Sequence, residues 1–355
     1  MPPKLRVAVL GATGAVGQRF VERLDGHPQF AVSLVVGSER SQGKTYREAC
    51  TWRLATPMPD AVGELTVQDL TPDPDLAIAF SALTADIAED VEVAWAKAGV
   101  AVFSNARNHR MAPDVPLLIP EVNADHLALA ACQAESRGFP STGMLATNPN
   151  CSATFLTMAL APLHRAFGVE AASVVTLQAV SGAGYPGVPA LDIAGNVIPH
   201  ITGEEDKLES ETLKMLGTVR DGIVRHAEFP ISAQVNRVPV IDGHTESISV
   251  KLSQRVGVDD VREALATFTG EPQERGLPSA PAMPVIVMDE PDRPQPALDV
   301  DRYGGMSALV GRIRPCSVLD FKMTVLGHNT VRGAAGGSIL NAELAAARGV
   351  LGGPG

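Results

Sequence analysis

LRVAVLGATGAVGQRFVERL, residues 5–24, decides the fold. LRVAVL (5–10) reads as a short buried strand, GATGAVG (11–17) as a turn, and QRFVERL (18–24) as a helix with an apolar stripe. Strand, glycine turn and helix in that order open a doubly wound α/β domain. Glycines let the backbone come close to a pyrophosphate, and the helix N-terminus offers it unpaired N–H groups. Gly11, Thr13, Gly14, Ala15 and Val16 are therefore the candidate cofactor contacts of this turn. The spacing is GxxGxxG rather than GxGxxG, and such a turn can also join strand to helix with no ligand.

Further along, FAVSLVV (30–36) reads as the second strand, and its end is informative. In NAD-binding domains an acid near this point takes the ribose hydroxyls. Here GSERSQGK (37–44) groups Ser38, Arg40, Ser41 and Lys44 around a single acid, Glu39. Hydroxyls and cations suit a 2′-phosphate, so NADP is expected over NAD; a solvated loop of mixed charge is the plainer alternative. DLAIAFSAL (75–83) and VAVFSN (100–105) read as strands flanking a helical ADIAEDVEVAWAKAG (85–99), which implies a mostly parallel sheet. Ser81 falls just past a strand end, where such sheets collect ligands. An ordinary helix cap explains it equally well.

The whole chain sets outer bounds. At 355 residues it holds one large domain or two of ordinary size. With 45% hydrophobic, 19% charged and only 4% aromatic residues, its core is built from Ala, Val and Leu. A formal net charge of −11 argues against nucleic acid and anionic membranes, which call for a basic surface. No apolar run is long enough to cross a bilayer, and MPPKLRVAVLGATG carries no signal-peptide pattern. Four cysteines without a CxxC pair suggest neither a metal site nor a disulfide framework. A reducing cytoplasm is the expected setting, with Cys50, Cys132 and Cys316 as small buried or half-buried residues.

Cys151 differs from these three. It lies in TNPNCSATF (147–155), and Phe155, Met158, Ala159, Leu163 and Phe167 then form a helical stripe that stops at Gly168. Asn150 or Ser152 can cap this helix, which puts Cys151 in its first turn, where the dipole and free amides favour thiolate. Pro162 is expected to kink the helix or end its first segment. A buried structural cysteine is the usual explanation of a lone Cys, but the polar approach from Thr147 to Asn150 argues against deep burial. A nucleophile needs a base. His244 follows the turn in NRVPVIDG (236–243) and opens HTESISVKL, where alternation places it with Ile248, Val250 and Leu252 on the inward face. A satisfied core histidine and a base at a pocket edge both fit that placement.

Taken in order, TNPNCSATF, LQAVSGAGYPGVP (177–189), NVIPHITGEEDK (196–207), NRVPVIDGHT and NTVRGAAGGSILNAEL (329–344) resemble the aspartate-semialdehyde dehydrogenase family, in particular its archaeal and fungal branch. The likeness runs from GATGAVG to the last helix. It implies reversible, NADP-dependent conversion of L-aspartyl 4-phosphate into L-aspartate 4-semialdehyde and phosphate, within lysine, threonine and methionine biosynthesis. Cys151 would be the nucleophile that forms a thioacyl enzyme, and His244 the acid/base. Gln178 would orient the reacting cysteine or its acyl group. Arg237 would grip the substrate α-carboxylate, a task that suits a planar guanidinium better than an ammonium.

The same likeness assigns Glu204 to the substrate amino group and Lys207 to the phosphate. These two share one side if GEEDKLESET is helical, and Glu205 or Asp206 would replace Glu204 in a shifted register. Asn105 and Arg110 in FSNARNHRM match phosphate contacts, with Arg107 a second candidate. Ser181, Gly182 and Asn329 would face the nicotinamide. The expected fold is a Rossmann-type parallel sheet domain (1–150 and 330–355) with an α+β catalytic and dimerisation domain (151–329) built on a mixed or antiparallel sheet. A homodimer or homotetramer is expected on family grounds. The proline-rich stretch 271–300 reads as an extended connection or a partner-covering arm.

Malonyl-CoA reductases share this scaffold, but Arg237, Glu204 and Lys207 suit a zwitterionic amino acid rather than a bulky thioester. N-acetylglutamyl phosphate reductase is further away, since an acylated amino group would not need Glu204. A cysteine hydrolase or acyltransferase would leave the nucleotide turn without purpose, and a non-catalytic NADP sensor would need neither Cys151 nor His244.

Overall fold

A computed structural model describes residues 3–351. The outermost ends of the segments 1–150 and 330–355 lie outside the described residues. Six strands build the first sheet: β1 Leu5–Leu10, β2 Phe30–Val36, β3 Val67–Gln68, β4 Ile78–Ser81, β5 Ala101–Ser104 and β6 Met144–Thr147. Their order is β3-β2-β1-β4-β5-β6, and every pairing is parallel. This is the doubly wound arrangement, with its reversal of strand order between β1 and β4. Strands buried on both faces must be apolar throughout, and VAVL of β1 and AVF of β5 are. The last long helix, Gly336–Ala347, packs on this sheet: Ile339, Leu340 and Leu344 share a core with Val7, Phe20 and Phe80.

The second sheet is mixed. Its strands are β7 Val169–Gln178, β10 Ile231–Arg237, β11 His244–Leu252, β12 Val285–Val287, β13 Ala308–Pro315 and β14 Phe321–Gly327; β8 Thr218–Arg220 and β9 Ile223–Arg225 form a separate hairpin. The order is β10-β7-β11-β14-β13-β12, antiparallel in the middle and parallel at both edges. One face carries the core, in which the helix Cys151–Phe167 lies against Val174, Ile248, Val250 and Val325. Along β11, His244, Glu246, Ile248, Val250 and Leu252 alternate inward, as a half-buried strand requires. Among the described residues no helix is long and apolar enough to cross a membrane.

Two expectations are corrected. The Cys151 helix runs unbroken past Pro162 to Phe167 and ends at Gly168, whose φ of +70° favours glycine. Proline removes one helical hydrogen bond, but this segment is buried on nearly every side, and packing rather than propensity holds it. Residues 271–300 are not an extended arm. They add β12 to the edge of the second sheet and are fastened to the first domain: Ser279 donates to Glu343, Gln273 to Glu121, and Arg348 pairs with Glu271. The buried side chains of Pro272 and Leu277 anchor the stretch.

Candidate active site

The nucleophile's helix begins on a side-chain cap. Asn150 Oδ1 accepts from the N–H groups of Ser152 at 2.9 Å and Ala153 at 3.1 Å, so Cys151 is the first helical residue, half-buried. His244, the first residue of β11, is fully buried and places Nε2 3.1 Å from Cys151 Sγ. The ring's other nitrogen, Nδ1, accepts from the backbone N–H of Ala179 at 3.1 Å. A backbone N–H can only donate, so the neutral ring carries its proton on Nε2 and points it at the sulfur. Burial, with Arg237 close by, pushes His244 down to about 3. Cys151 is pushed up to about 12 by burial and then by Glu204, against the pull of Arg110 and Arg237. The expectation that the helix start favours thiolate is therefore corrected for the free enzyme: desolvation and a neighbouring carboxylate outweigh the dipole.

The groups around this pair come from both domains. Arg237, at the end of β10, is buried, and its Nη1 donates to the Ala179 carbonyl at 2.7 Å. Gln178, its partner across β7 and β10, is buried too, and its amide donates to Thr176 Oγ1 at 3.3 Å. Gly182 packs so closely that a Cβ there would lie 2.9 Å from Arg237 Nη1 and 3.0 Å from the His244 ring. Glu204 opens the helix Glu204–Met215, accepts from Asn150 Nδ2 at 2.7 Å and pairs with Lys207 at 3.0 Å. Burial alone would raise Glu204, yet Lys207 and Asn150 hold it below the usual carboxylate range. Glu205 turns away to accept from the Val235 N–H, and Asp206 is exposed, so Glu204 is the acid that faces Cys151.

Asn329 links the surrounding loops: its amide donates to Ser181 Oγ at 2.8 Å, and its carbonyl accepts from the Gly243 N–H at 2.9 Å. Next to it, Val331–Ala335 form one π-helical turn laid directly on the nucleophile. A Cβ on Gly333 would fall 2.9 Å from that of Cys151, so only glycine fits there. Arg110 is buried and pairs with Glu211 at 3.0 Å, while Asn105 donates to the Ser81 carbonyl at 3.1 Å and to Ser338 Oγ at 3.3 Å. Arg107 is exposed.

A cleft of about 780 Å³ opens at the point where the strand order reverses, lined by Gly11, Thr13, Gly14, Ser38 and Glu39 among others. Gly11 has φ +74°, and a Cβ there would sit 2.8 Å from the Ala82 carbonyl. Ala15 and Val16 open the helix Ala15–Leu24, whose start carries no side-chain cap among the described residues, while Gly11, Thr13 and Gly14 of the same turn line the cleft. Ser41 is buried with its hydroxyl 3.5 Å from that of Ser38, whereas Arg40 and Lys44 are exposed; of this loop, Ser38, Glu39 and Gln42 line the cleft. A glycine-lined turn at the start of a helix fits the pyrophosphate of a dinucleotide.

Two family models cover most of the chain, "Semialdehyde dehydrogenase, NAD binding domain" over residues 6–130 and "Semialdehyde dehydrogenase, dimerisation domain" over residues 160–332. The aspartate-semialdehyde dehydrogenase of Methanothermobacter thermautotrophicus is 49% identical over 344 residues, 96% of this chain and 98% of that one. The chain belongs to the aspartate-semialdehyde dehydrogenase family. Its relative from Cryptococcus neoformans is 46% identical over 98% of this chain and 99% of that one. The crystal structure of aspartate semialdehyde dehydrogenase with NADP from Candida albicans superposes with a TM-score of 0.91 at 43% identity, covering 98% of this chain and 100% of that one.

Within this aspartate-semialdehyde dehydrogenase chain, the candidate Ser81 is corrected. It ends β4 rather than following it, is fully buried, and donates at 2.6 Å to Glu92, which also accepts from Ser104 at 2.7 Å. Its hydroxyl is thus committed to the protein interior, and the helix cap position falls to Thr84. Sequence reasoning missed several groups. Gln42, from the GSERSQGK loop itself, and Asp69 and Thr71, from the loop after β3, also line the dinucleotide cleft. Glu246 shares the inward face with His244; it is fully buried, its carboxyl oxygens have no hydrogen-bond partner among the described residues, and burial raises it well above the usual carboxylate range. The inward alternation of HTESISVKL was the available signal for it.

Proposed function

We propose that this protein is an NADP-dependent aspartate-semialdehyde dehydrogenase that reduces L-aspartyl 4-phosphate to L-aspartate 4-semialdehyde through a thioacyl enzyme on Cys151. The observation that carries the reading is the 3.1 Å approach of His244 Nε2 to Cys151 Sγ at the start of a capped helix, ringed by Arg237, Glu204 and Lys207. Arg237 holds the substrate carboxylate, Glu204 its ammonium, and Lys207, Arg110 and Asn105 the phosphate. Gln178 and Gly182 bound the space in which the acyl group turns. A buried carboxylate and a buried guanidinium beside one thiol suit a zwitterion, since each is stabilised by the opposite charge the substrate brings.

In the reductive direction the Cys151 sulfur attacks the acyl carbon; the S–C bond forms, the C–O bond to phosphate breaks, and the thiol proton leaves on the departing oxygen. Gly11–Val16 would hold the cofactor's pyrophosphate and Ser38, Arg40, Ser41 and Lys44 its 2′-phosphate; when bound, NADPH would supply the hydride that reduces the thioester. Ser181, Gly182 and Asn329 shape the place where that transfer occurs. His244 donates a hydrogen bond from Nε2–H to the thioester oxygen and stabilises the negative charge that develops there, keeping its proton until the tetrahedral oxyanion collapses. Collapse breaks the C–S bond, frees the aldehyde, and returns a thiolate that takes a proton from solvent.

The catalytic domain spans residues 151–329, and the cofactor-binding domain combines residues 1–150 with 330–355. The protein works as a homodimer or homotetramer through the open face of the second sheet, where Val175 and Leu177 stand 36% and 42% exposed. A reducing cytoplasm keeps Cys151 competent. The test is NADPH formation from aspartate semialdehyde and NADP, with and without phosphate. Turnover that needs phosphate and vanishes in Cys151→Ala, while NADP still binds, supports the reading; turnover indifferent to either removes it.

A further inference from the structure

The loop after β5 that carries Asn105 and Arg110 is fastened to the helix Glu204–Met215 from the other domain. Lys214 is fully buried and donates to three carbonyls of that loop, those of Arg110 and Ala112 at 2.7 Å and Val115 at 2.9 Å. One turn earlier, Glu211 is 2% exposed and uses both oxygens. Oε1 accepts from Arg110 Nη1 at 3.0 Å, and Oε2 accepts from the backbone N–H of Asn150 at 2.6 Å. Arg110 Nη2 donates to the Asn105 carbonyl at 2.7 Å, and its buried Nε has no partner among the described residues.

Resting on the reading of Arg110 as a phosphate contact, we propose that Glu211 is a positioning residue that locks the phosphate-binding guanidinium and the N-cap of the nucleophile's helix into one register. Both groups belong to the first segment of the chain, and Glu211, on a helix of the catalytic domain, bonds one with each of its oxygens. Lys214 fixes the main chain of Arg110, and Glu211 aims its side chain. With one hydrogen of Nη1 and one of Nη2 held by protein acceptors, the guanidinium keeps Nε–H and one N–H on each terminal nitrogen as donors for a phosphate. The Asn150 amide lies one residue before Cys151, so the distance from phosphate to sulfur is set through Glu211. Glutamine at this position has one acceptor oxygen for two donors: bonding Asn150 turns its NH2 toward the guanidinium, and bonding Arg110 turns it toward an N–H.

The experiment is a double-mutant cycle in the full-length enzyme, reading KM for inorganic phosphate and for aspartate semialdehyde in the phosphorylating direction. Glu211→Gln is expected to raise the phosphate KM roughly tenfold or more, as a displaced contact does, with the semialdehyde KM near parental. Arg110→Leu should raise the phosphate KM as well, and the double variant should be no worse than Arg110→Leu alone, because Glu211 acts through Arg110. Glu211→Asp, which keeps the charge but reaches only one partner, should show a smaller rise and serves if Glu211→Gln does not fold. A parental phosphate KM in both Glu211 variants, or additive effects in the double variant, overturns the role of Glu211. A parental phosphate KM in Arg110→Leu overturns the Arg110 assignment, and this proposal with it.

Discussion

Asn150 has two separable tasks, and two substitutions distinguish them. Its Oδ1 caps the nucleophile's helix through Ser152 and Ala153, and its Nδ2 donates to the buried Glu204 at 2.7 Å. Asn150→Ser keeps a cap acceptor and removes the bond to Glu204, a hydrogen bond to a charged group that contributes about 1.5–3 kcal/mol. Asn150→Ala removes the cap as well, costing about 1 kcal/mol more. Melting temperatures should fall in the order parent, Asn150→Ser, Asn150→Ala. Substrate binding should follow Glu204 instead of the cap: both variants should raise the semialdehyde KM about equally, and a binding loss of about 1.4 kcal/mol is a tenfold rise. Thermal unfolding followed by fluorescence and initial-rate kinetics read the two effects on one preparation. Equal melting temperatures for the two variants would refute the cap assignment; a parental KM in both would refute the link from Asn150 to substrate through Glu204.

Two further outcomes follow from the same geometry. Arg237→Lys should raise the semialdehyde KM with NADP affinity unchanged, because an ammonium cannot keep the Ala179 carbonyl and also grip a carboxylate with two parallel bonds; steady-state kinetics check this. In the free enzyme, alkylation of Cys151 by iodoacetamide should keep accelerating toward pH 12, since only the thiolate reacts and the thiol is pushed up to about 12. Glu204→Gln should shift that profile to lower pH by removing the nearest negative charge, and a parental profile that levels off near pH 9, roughly the free-thiol range, would contradict the burial argument.

What could be read from residues alone was local and periodic. The glycine turn after LRVAVL, the apolar strands of the first sheet and the inward placement of His244 depend on spacings of two to seven residues, and the fold honours them. Where tertiary packing competed with a local rule, the local rule lost. Pro162 does not end its helix, which is encased on nearly every side; 271–300 is anchored by the buried Pro272 and Leu277; Ser81 is claimed by Glu92 from the helix Ala85–Lys97. The thiol's protonation state was not legible either, since the dipole that favours thiolate is a property of one helix, while burial and the Glu204 charge come from the assembled site. Glu211 was hidden most completely. In GEEDKLESET it reads as one more solvated acid, and its partner Arg110 lies 101 residues away.

The thioacyl enzyme is the central claim, and a single turnover tests it without relying on steady-state rates. Enzyme mixed with NADP and aspartate semialdehyde in the absence of phosphate should release close to one NADPH per active site, with the acyl group found on Cys151 by peptide mass spectrometry and discharged when phosphate is added. No burst, or an acyl group on any other residue, would contradict the account.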